Sequence, residues 1–327
     1  MSKRHHYVPI FYQKGFSAND KLWKYDRKWK SYKHSSPKEN LWEEDLYSVY
    51  PPNTPVDRRI ETDVLSRIDG AAAPIIKQLE PGMKLNESDT NLLLQFLGLQ
   101  FTRMPSFARM VRRTLEAHMD EYLQDRFGTV ERAEQALAEL EAITGEARTI
   151  TAEAMVESVT QRRIHANANE TVFLKQMFEH ANYIANLLRR SSWTILVAPK
   201  TSGFIICDHP IVSVPPASHV GPVAIGTPGA LAYIPLKRRF CLRVQLGDYG
   251  FTYKHVDSRE VRTINYNIAA NSGRYVLAAD RAQLEAVIDK SGTATMDQRD
   301  DFTIEVFRPD ANNTFMKFDK KTGKFFY

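Results

Sequence analysis

The feature that most constrains the fold is a change of hydrophobic period near Trp193. Before it, apolar residues recur at helical spacing. In "TVFLKQMFEHANYIANLLRR", Phe173, Met177, Ile184 and Leu187 share one face, and His180 among them reads as a core histidine. After it come short β-branched and aromatic runs, "WTILVAP", "GFIICD", "LAYIPL" and "FCLRVQL", parted by Pro and Gly loops. Helices first and strands later predict an α+β fold, a helix-rich N-terminal part packed against a mainly antiparallel β-sheet built from the C-terminal part. The length suits one large domain over residues 1–327. Within it, the Ala/Glu-rich residues 128–170 read as a helical insertion. Residues 290–327, with "DANN" and "KKTG" turns, read as a C-terminal β-hairpin extension.

Local signals set finer expectations. Pro9 suits the start of a short helix, and "KLWKYDRKWKSYK" alternates as a two-stranded hairpin. Residues 37–47 read as another short helix. Asp57 can cap a helix carrying Ile60, Val64 and Ile68, with a break near Gly70 or Pro74. Asn86 caps a long helix that should break or kink at Pro105. "DSREVRTINYNIAANSGRYVLA" reads as helix capped by Asp257.

Composition narrows the function classes. No apolar run approaches the roughly 18 residues of a membrane span, so the expectation is a soluble, cytoplasmic protein with no membrane partner. The two cysteines, Cys207 and Cys241, sit inside apolar runs and read as core thiols of a reducing compartment. In residues 1–40 ten Lys/Arg face three carboxylates, a net of +7 in a chain whose total is +5, so the basic character lies at one end. There is no HxxxH zinc helix, CxxC pair, G-x-S-x-G elbow or phosphate-binding Gly-rich loop.

The stretch "HHYVPIFYQKGF" resembles the opening "HHYVPxFYLxxF" of the family known as domain of unknown function 4238. "LWKYDR", "LGLQFTRMP", "WTILVAPKTSGFIICDHPIV" and "YIPL" followed by "NYNIAANSGRYV" follow its layout in order over residues 3–280. Gln13 stands where the family tends to have Leu. Cys207 and His209 fall in a stretch that usually reads Ser-Asp-Asn-Pro, so His209 adds an imidazole there. The resemblance implies fold boundaries and carries no activity.

Several residues are candidates for chemistry. His5 and His6 precede the helix that Pro9 begins, and a helix N-terminus favours the neutral imidazole that binds a metal or accepts a proton. The structural alternative is one histidine in the core and one facing solvent, because adjacent side chains of an extended segment point to opposite faces. Asp208 ends an apolar strand before Pro210 and needs either a partner or a task. Gln100 and Arg103, three apart on a helix, suit an anionic ligand, or Arg103 bridges an internal carboxylate such as Glu61 or Asp69. Asn267, Asn271 and Arg274 fall on one helix face and suit a polar ligand such as a nucleotide.

Lys24, Arg27, Lys28 and Lys30 interleave with Trp23, Tyr25 and Trp29, a pattern that binds phosphates and stacks bases. It equally suits an edge hairpin guarded by lysines. A His-Me finger nuclease fits poorly, since His5 and His6 lead into a helix rather than a hairpin loop. Two functional readings follow. One is a hydrolase acting on a nucleic acid or nucleotide through His5, His6 and Asp208, with a divalent metal as a compatible but unassigned cofactor. The other is a non-catalytic nucleic-acid or protein binding module whose His/Asp/Asn/Arg set is structural.

Overall fold

A computed structural model describes residues 3–50, 55–164, 170–216, 225–247 and 250–291, together with three short strands nearer the C-terminus. In chain order the elements are β1 (Arg4–His6), α1 (Ile10–Lys14), β2 (Leu22–Asp26), β3 (Ser31–Ser35), β4 (Trp42–Glu44), α2 (Ser66–Gln78) and α3 (Glu87–Thr102). Next are α4 (Pro105–Phe127), α5 (Val130–Thr144), α6 (Ala152–Thr160), α7 (Glu170–Arg189), β5 (Ser191–Val197), β6 (Ile206–Cys207) and β7 (Val212–Val214). The series continues with β8 (Leu231–Lys237), β9 (Phe240–Leu246), β10 (Gly250–His255), α8 (Ser258–Ala270), β11 (Tyr275–Ala278) and α9 (Arg281–Ser291). The class is α+β.

The chain divides into two compact units. One is Ser106–Gln176; the other joins Met1–Pro105 to Met177–Tyr327. The smaller unit takes in residues 128–170 and extends to both sides of them. Its core is Phe127, Ala133, Ala136, Leu137, Ala152 and Val159. Thr129 and Thr151 cap α5 and α6 through their side-chain oxygens. Gly145 ends α5 in the left-handed conformation at φ 69°, which a Cβ would strain.

Two sheets organise the larger unit. One has five strands in the order β10-β5-β9-β8-β7, antiparallel except that β10 runs parallel to β5. Pro235 donates no ladder hydrogen bond and lies in β8 where the register shifts toward Lys237. The other sheet has the order β3-β2-β11-β6. It is not built from the C-terminal part alone, because the N-terminal hairpin β2–β3 supplies half its strands. The alternation of "LWKYD" matches that of "YVLA", and edge-to-edge pairing buries the backbone groups both strands would otherwise expose. β1 and β4 form a separate two-stranded ribbon.

Several local expectations are corrected. Residues 37–47 are one 3-10 turn, Pro37–Glu39, followed by β4. The Ser36–Glu39 capping box satisfies that single turn, and Leu41 and Asp45 then take positive φ, which no helix continues. α2 runs through Gly70 and Pro74 unbroken, because Ala72, Ile75 and Ile76 are buried on both sides of the proline. It is preceded by a π-helical turn, Ile60–Leu65, whose N-cap is Arg59 rather than Asp57. α8 stops at Ala270, and after a short loop "YVLA" forms β11.

Packing fixes the motif strand. Tyr12 of α1 donates to the Pro235 carbonyl, and Phe11 and Tyr12 pack on Phe96 of α3 at 5.5 and 5.7 Å between ring centres. Gln13, buried where Leu was the expected type, donates to the Val8 and Asn40 carbonyls. Gly98 of α3 lies so close to α7 that a Cβ there would stand 2.2 Å from the Ala181 carbonyl oxygen. Of the expected C-terminal extension, Val306–Phe307, Phe315–Asp319 and Lys324–Phe326 pair antiparallel. Its remaining residues beyond Ser291 lie outside the described residues.

Candidate functional site

Extended backbone sends His5 and His6 to opposite faces of the β1–β4 ribbon. His5 is fully buried and stacks on Tyr47. Its Nδ1 accepts the Tyr47 backbone N–H at 3.0 Å, so the proton of the neutral ring sits on Nε2, 4.0 Å from Asp45 Oδ1. Burial holds the imidazole below its usual range, against the pull of Asp45. In this tautomer neither nitrogen has a lone pair for a metal or a proton. Asp45 is in turn gripped by Arg58 at 2.6 and 3.0 Å, which brings its carboxyl down to about 2.

His6 is half-buried, and its Nε2 donates to the Lys38 carbonyl at 3.3 Å, leaving Nδ1 with the ring's lone pair. Burial lowers this imidazole as well. Its backbone N–H serves the Glu61 carboxylate on the π-helical turn. Burial pushes Glu61 up to about 7, Arg103 pulls it down, and Asp69 pushes it up.

Arg103 and Gln100 are buried together. Arg103 Nη1 donates to Asp69 at 2.9 Å and Nη2 donates to Gln100 Oε1. Gln100 Nε2 donates to the Tyr7 carbonyl at 2.9 Å. The Tyr47 hydroxyl closes the circuit on the Arg103 carbonyl at 2.6 Å. Arg103 therefore bridges an internal carboxylate, the structural alternative raised by its spacing, and its charge is matched inside the fold.

Asp208 belongs to a second cluster. Its Oδ1 accepts Gly273 N–H at 2.8 Å, and its Oδ2 accepts Arg274 and Tyr275 N–H at 2.6 and 3.0 Å. His209 Nδ1 lies 3.5 Å away. Burial pushes this carboxyl up, but His209 and the backbone N–H groups bring it below its usual value. The carboxylate thus ties the loop between α8 and β11 to the end of β6. No described hydrogen bond or ion pair joins it to His5 or His6. The phenol of Tyr7, the residue after His6, is pushed up first by burial and then by the Asp208 charge.

Asn267, Asn271 and Arg274 do not share a helix face, because α8 ends before Asn271. Asn271 is the C-cap, its Nδ2 donating to the Asn267 carbonyl at 2.8 Å. Arg274 pairs with Asp26 at 2.8 Å and lies over Tyr275. The amide that binds across the fold is Asn265, buried and bonded to Ile205 N–H and the Gly203 carbonyl. Its position in the apolar stripe of Val261, Ile264 and Ile268 was the signal for it.

The basic hairpin splits in two. Arg27 is buried, its Nε donating to Ser272 Oγ at 2.7 Å and its Nη2 to the Ala269 carbonyl at 2.6 Å, so it leaves the nucleic-acid set. Lys24 is half-buried with its ammonium 4.9 Å from the Tyr275 ring centre. Burial, then the neighbouring Lys33, lower it. Lys28 and Lys30 are exposed, and between them Trp29 is 67% exposed.

Cys207 and Cys241 are free thiols in the core, both pushed up by burial. Among the described residues no group of three or more His, Cys, Asp or Glu side chains is placed to hold a metal ion. No described helix is long and apolar enough to cross a membrane.

These features define an α+β protein whose motif strand, hairpin and α8–β11 corner are each locked by buried polar side chains. The chain belongs to the family described as "Protein of unknown function (DUF4238)", whose model matches residues 4–282. No curated protein and no solved structure matches it.

Proposed function

We propose that this protein binds single-stranded nucleic acid through the tip of the β2–β3 hairpin, and that the His/Asp/Asn/Arg set is structural. The observation that carries this reading is the presentation of Trp29. Asp26 accepts the Lys28 and Trp29 N–H groups at 3.0 and 3.4 Å while gripping Arg274. Arg27 anchors the same loop from beneath through its side chain and through its N–H on the Arg274 carbonyl. A rigid loop that holds an indole in solvent between two lysines loses little entropy when a base stacks on it and phosphates meet the ammonium groups.

The test is fluorescence anisotropy with labelled single-stranded RNA and DNA across a salt series. Stacking on an aromatic is worth about 1–3 kcal/mol per base, so Trp29→Ala should weaken binding roughly tenfold with no change in melting temperature. Replacing Lys28 and Lys30 should flatten the salt dependence by about 0.7 in log–log slope for each phosphate they no longer neutralise. Absence of binding at low salt, or binding indifferent to all three residues, would sink the proposal.

A second reading keeps hydrolysis but moves its centre from Asp208 to His6 and Glu61. Its support is a carboxyl held near neutrality by burial on a π-turn and served by the His6 backbone N–H, with the neighbouring His6 ring keeping a lone pair on Nδ1; both groups are suited to general acid–base work. A panel of phosphodiester and nucleotide substrates tests it. Activity that survives Glu61→Gln, or no activity on any substrate, rejects it.

A further inference from the structure

A cleft of about 720 Å³ opens in the larger unit where α3 begins, α7 ends, and β5 and β10 start. None of the residues discussed above as candidates lines it. Its floor is apolar. Leu94, Leu188 and Trp193 are buried, and the half-buried Phe251 completes the wall. The Trp193 indole N–H already donates to the Leu188 carbonyl at 2.9 Å, so the indole offers the cleft only apolar surface.

Its rim is cationic. Lys84, Arg189 and Arg190 line the cleft and are exposed, and none of them has an ion pair with a described residue. Glu87 is the one acidic lining residue. The buried or half-buried arginines of the two polar clusters are matched instead: Arg58 by Asp45, Arg103 by Asp69 and Arg274 by Asp26. Three unmatched cations around an apolar floor, in a cleft of ligand size, make a surface complementary to an anion with an apolar body.

From this combination we infer that the cleft binds a small amphiphilic organic anion. Its hydrocarbon or aromatic body lies on Leu94, Trp193 and Phe251, and its carboxylate or sulfonate meets the guanidinium groups of Arg189 and Arg190, which suit a planar oxyanion. The apolar floor distinguishes this ligand from inorganic phosphate, which would meet the same cations and leave the floor empty.

The experiment uses the full chain and 8-anilinonaphthalene-1-sulfonate, read by fluorescence enhancement and by calorimetric stoichiometry. One probe per chain should bind, dodecanoate should displace it, and inorganic phosphate at the same concentration should not. Arg189→Glu with Arg190→Glu should weaken probe binding at least tenfold while the melting temperature holds. Should that pair fail to fold, Lys84→Glu serves as the charge variant, with a loss of several-fold expected. Binding unchanged by charge reversal, equal binding of the uncharged N-phenylnaphthylamine, or displacement by phosphate would each overturn the inference.

Discussion

Replacing Asp208 by Asn distinguishes a structural carboxylate from a reactive one. The side chain accepts three backbone N–H groups on two oxygens. Asn has a single oxygen, so in either orientation at least one of Gly273, Arg274 and Tyr275 turns its N–H toward an NH2 group. A buried donor without an acceptor costs about 1–3 kcal/mol. The bonds that survive lose their ionic character, and charge-assisted bonds are roughly twice as strong as neutral ones. Together these give a loss of about 3 kcal/mol, a large part of the roughly 5–15 kcal/mol that holds a typical protein folded.

Urea unfolding at pH 7 measures the difference between wild type and Asp208→Asn. The folded carboxyl lies below its unfolded value, so its contribution is complete above the ordinary carboxylate range near pH 4. It is lost only as the pH falls through the lower folded value. The gap between the two proteins should therefore be flat from pH 7 to about 5 and shrink in stronger acid. Equal stability of the two proteins at pH 7 would refute the anchoring role. A stable variant that had lost a hydrolytic activity would return Asp208 to the chemistry.

Two further outcomes follow from the same network and packing. Glu61, pushed up to about 7 by burial, is bound as the neutral acid by the fold, so wild type loses stability as the pH rises from the unfolded carboxylate range to about 7. Glu61→Gln removes that loss, and its stability advantage in urea should grow over this window and level off above it; a pH-independent difference refutes the burial argument. Gly98→Ala should destabilise by about 2 kcal/mol although Ala is the better helix former, because its Cβ meets the Ala181 carbonyl. A melting temperature equal to or above that of wild type would show that α3 and α7 are not held that closely.

Part of the candidate site was legible in the chain. The HH dipeptide in an extended segment offered, beside a reactive pair, one ring in the core and one facing solvent; His5 is fully buried and His6 half-buried. The Gln100–Arg103 spacing implied a joint role, and Glu61 and Asp69 were within reach as its carboxylates. Asp45, Arg58 and Tyr47 carried no such signal. They matter because a turn with positive φ at Asp45 folds them back onto His5, and no local pattern announces that contact. The Asn267, Asn271 and Arg274 set was misread because a helix period was carried past Ala270, where the chain turns to pair with β2.

What the sequence determined by itself was local. The period change near Trp193 marked where the strands of the five-stranded sheet begin, and Asn86 and Asp257 marked their helix starts, since a cap needs only the N–H groups two or three residues on. The burial of both cysteines followed from their apolar neighbours. Only the tertiary structure decided that β2 pairs with β11, that Asp208 holds Gly273 to Tyr275, and that Arg27 lies under the hairpin rather than on it. Those contacts join residues some 65 to 250 positions apart. Their partners are chosen by strand register and by the need to satisfy buried polar groups, and neither condition exists until the sheet has closed.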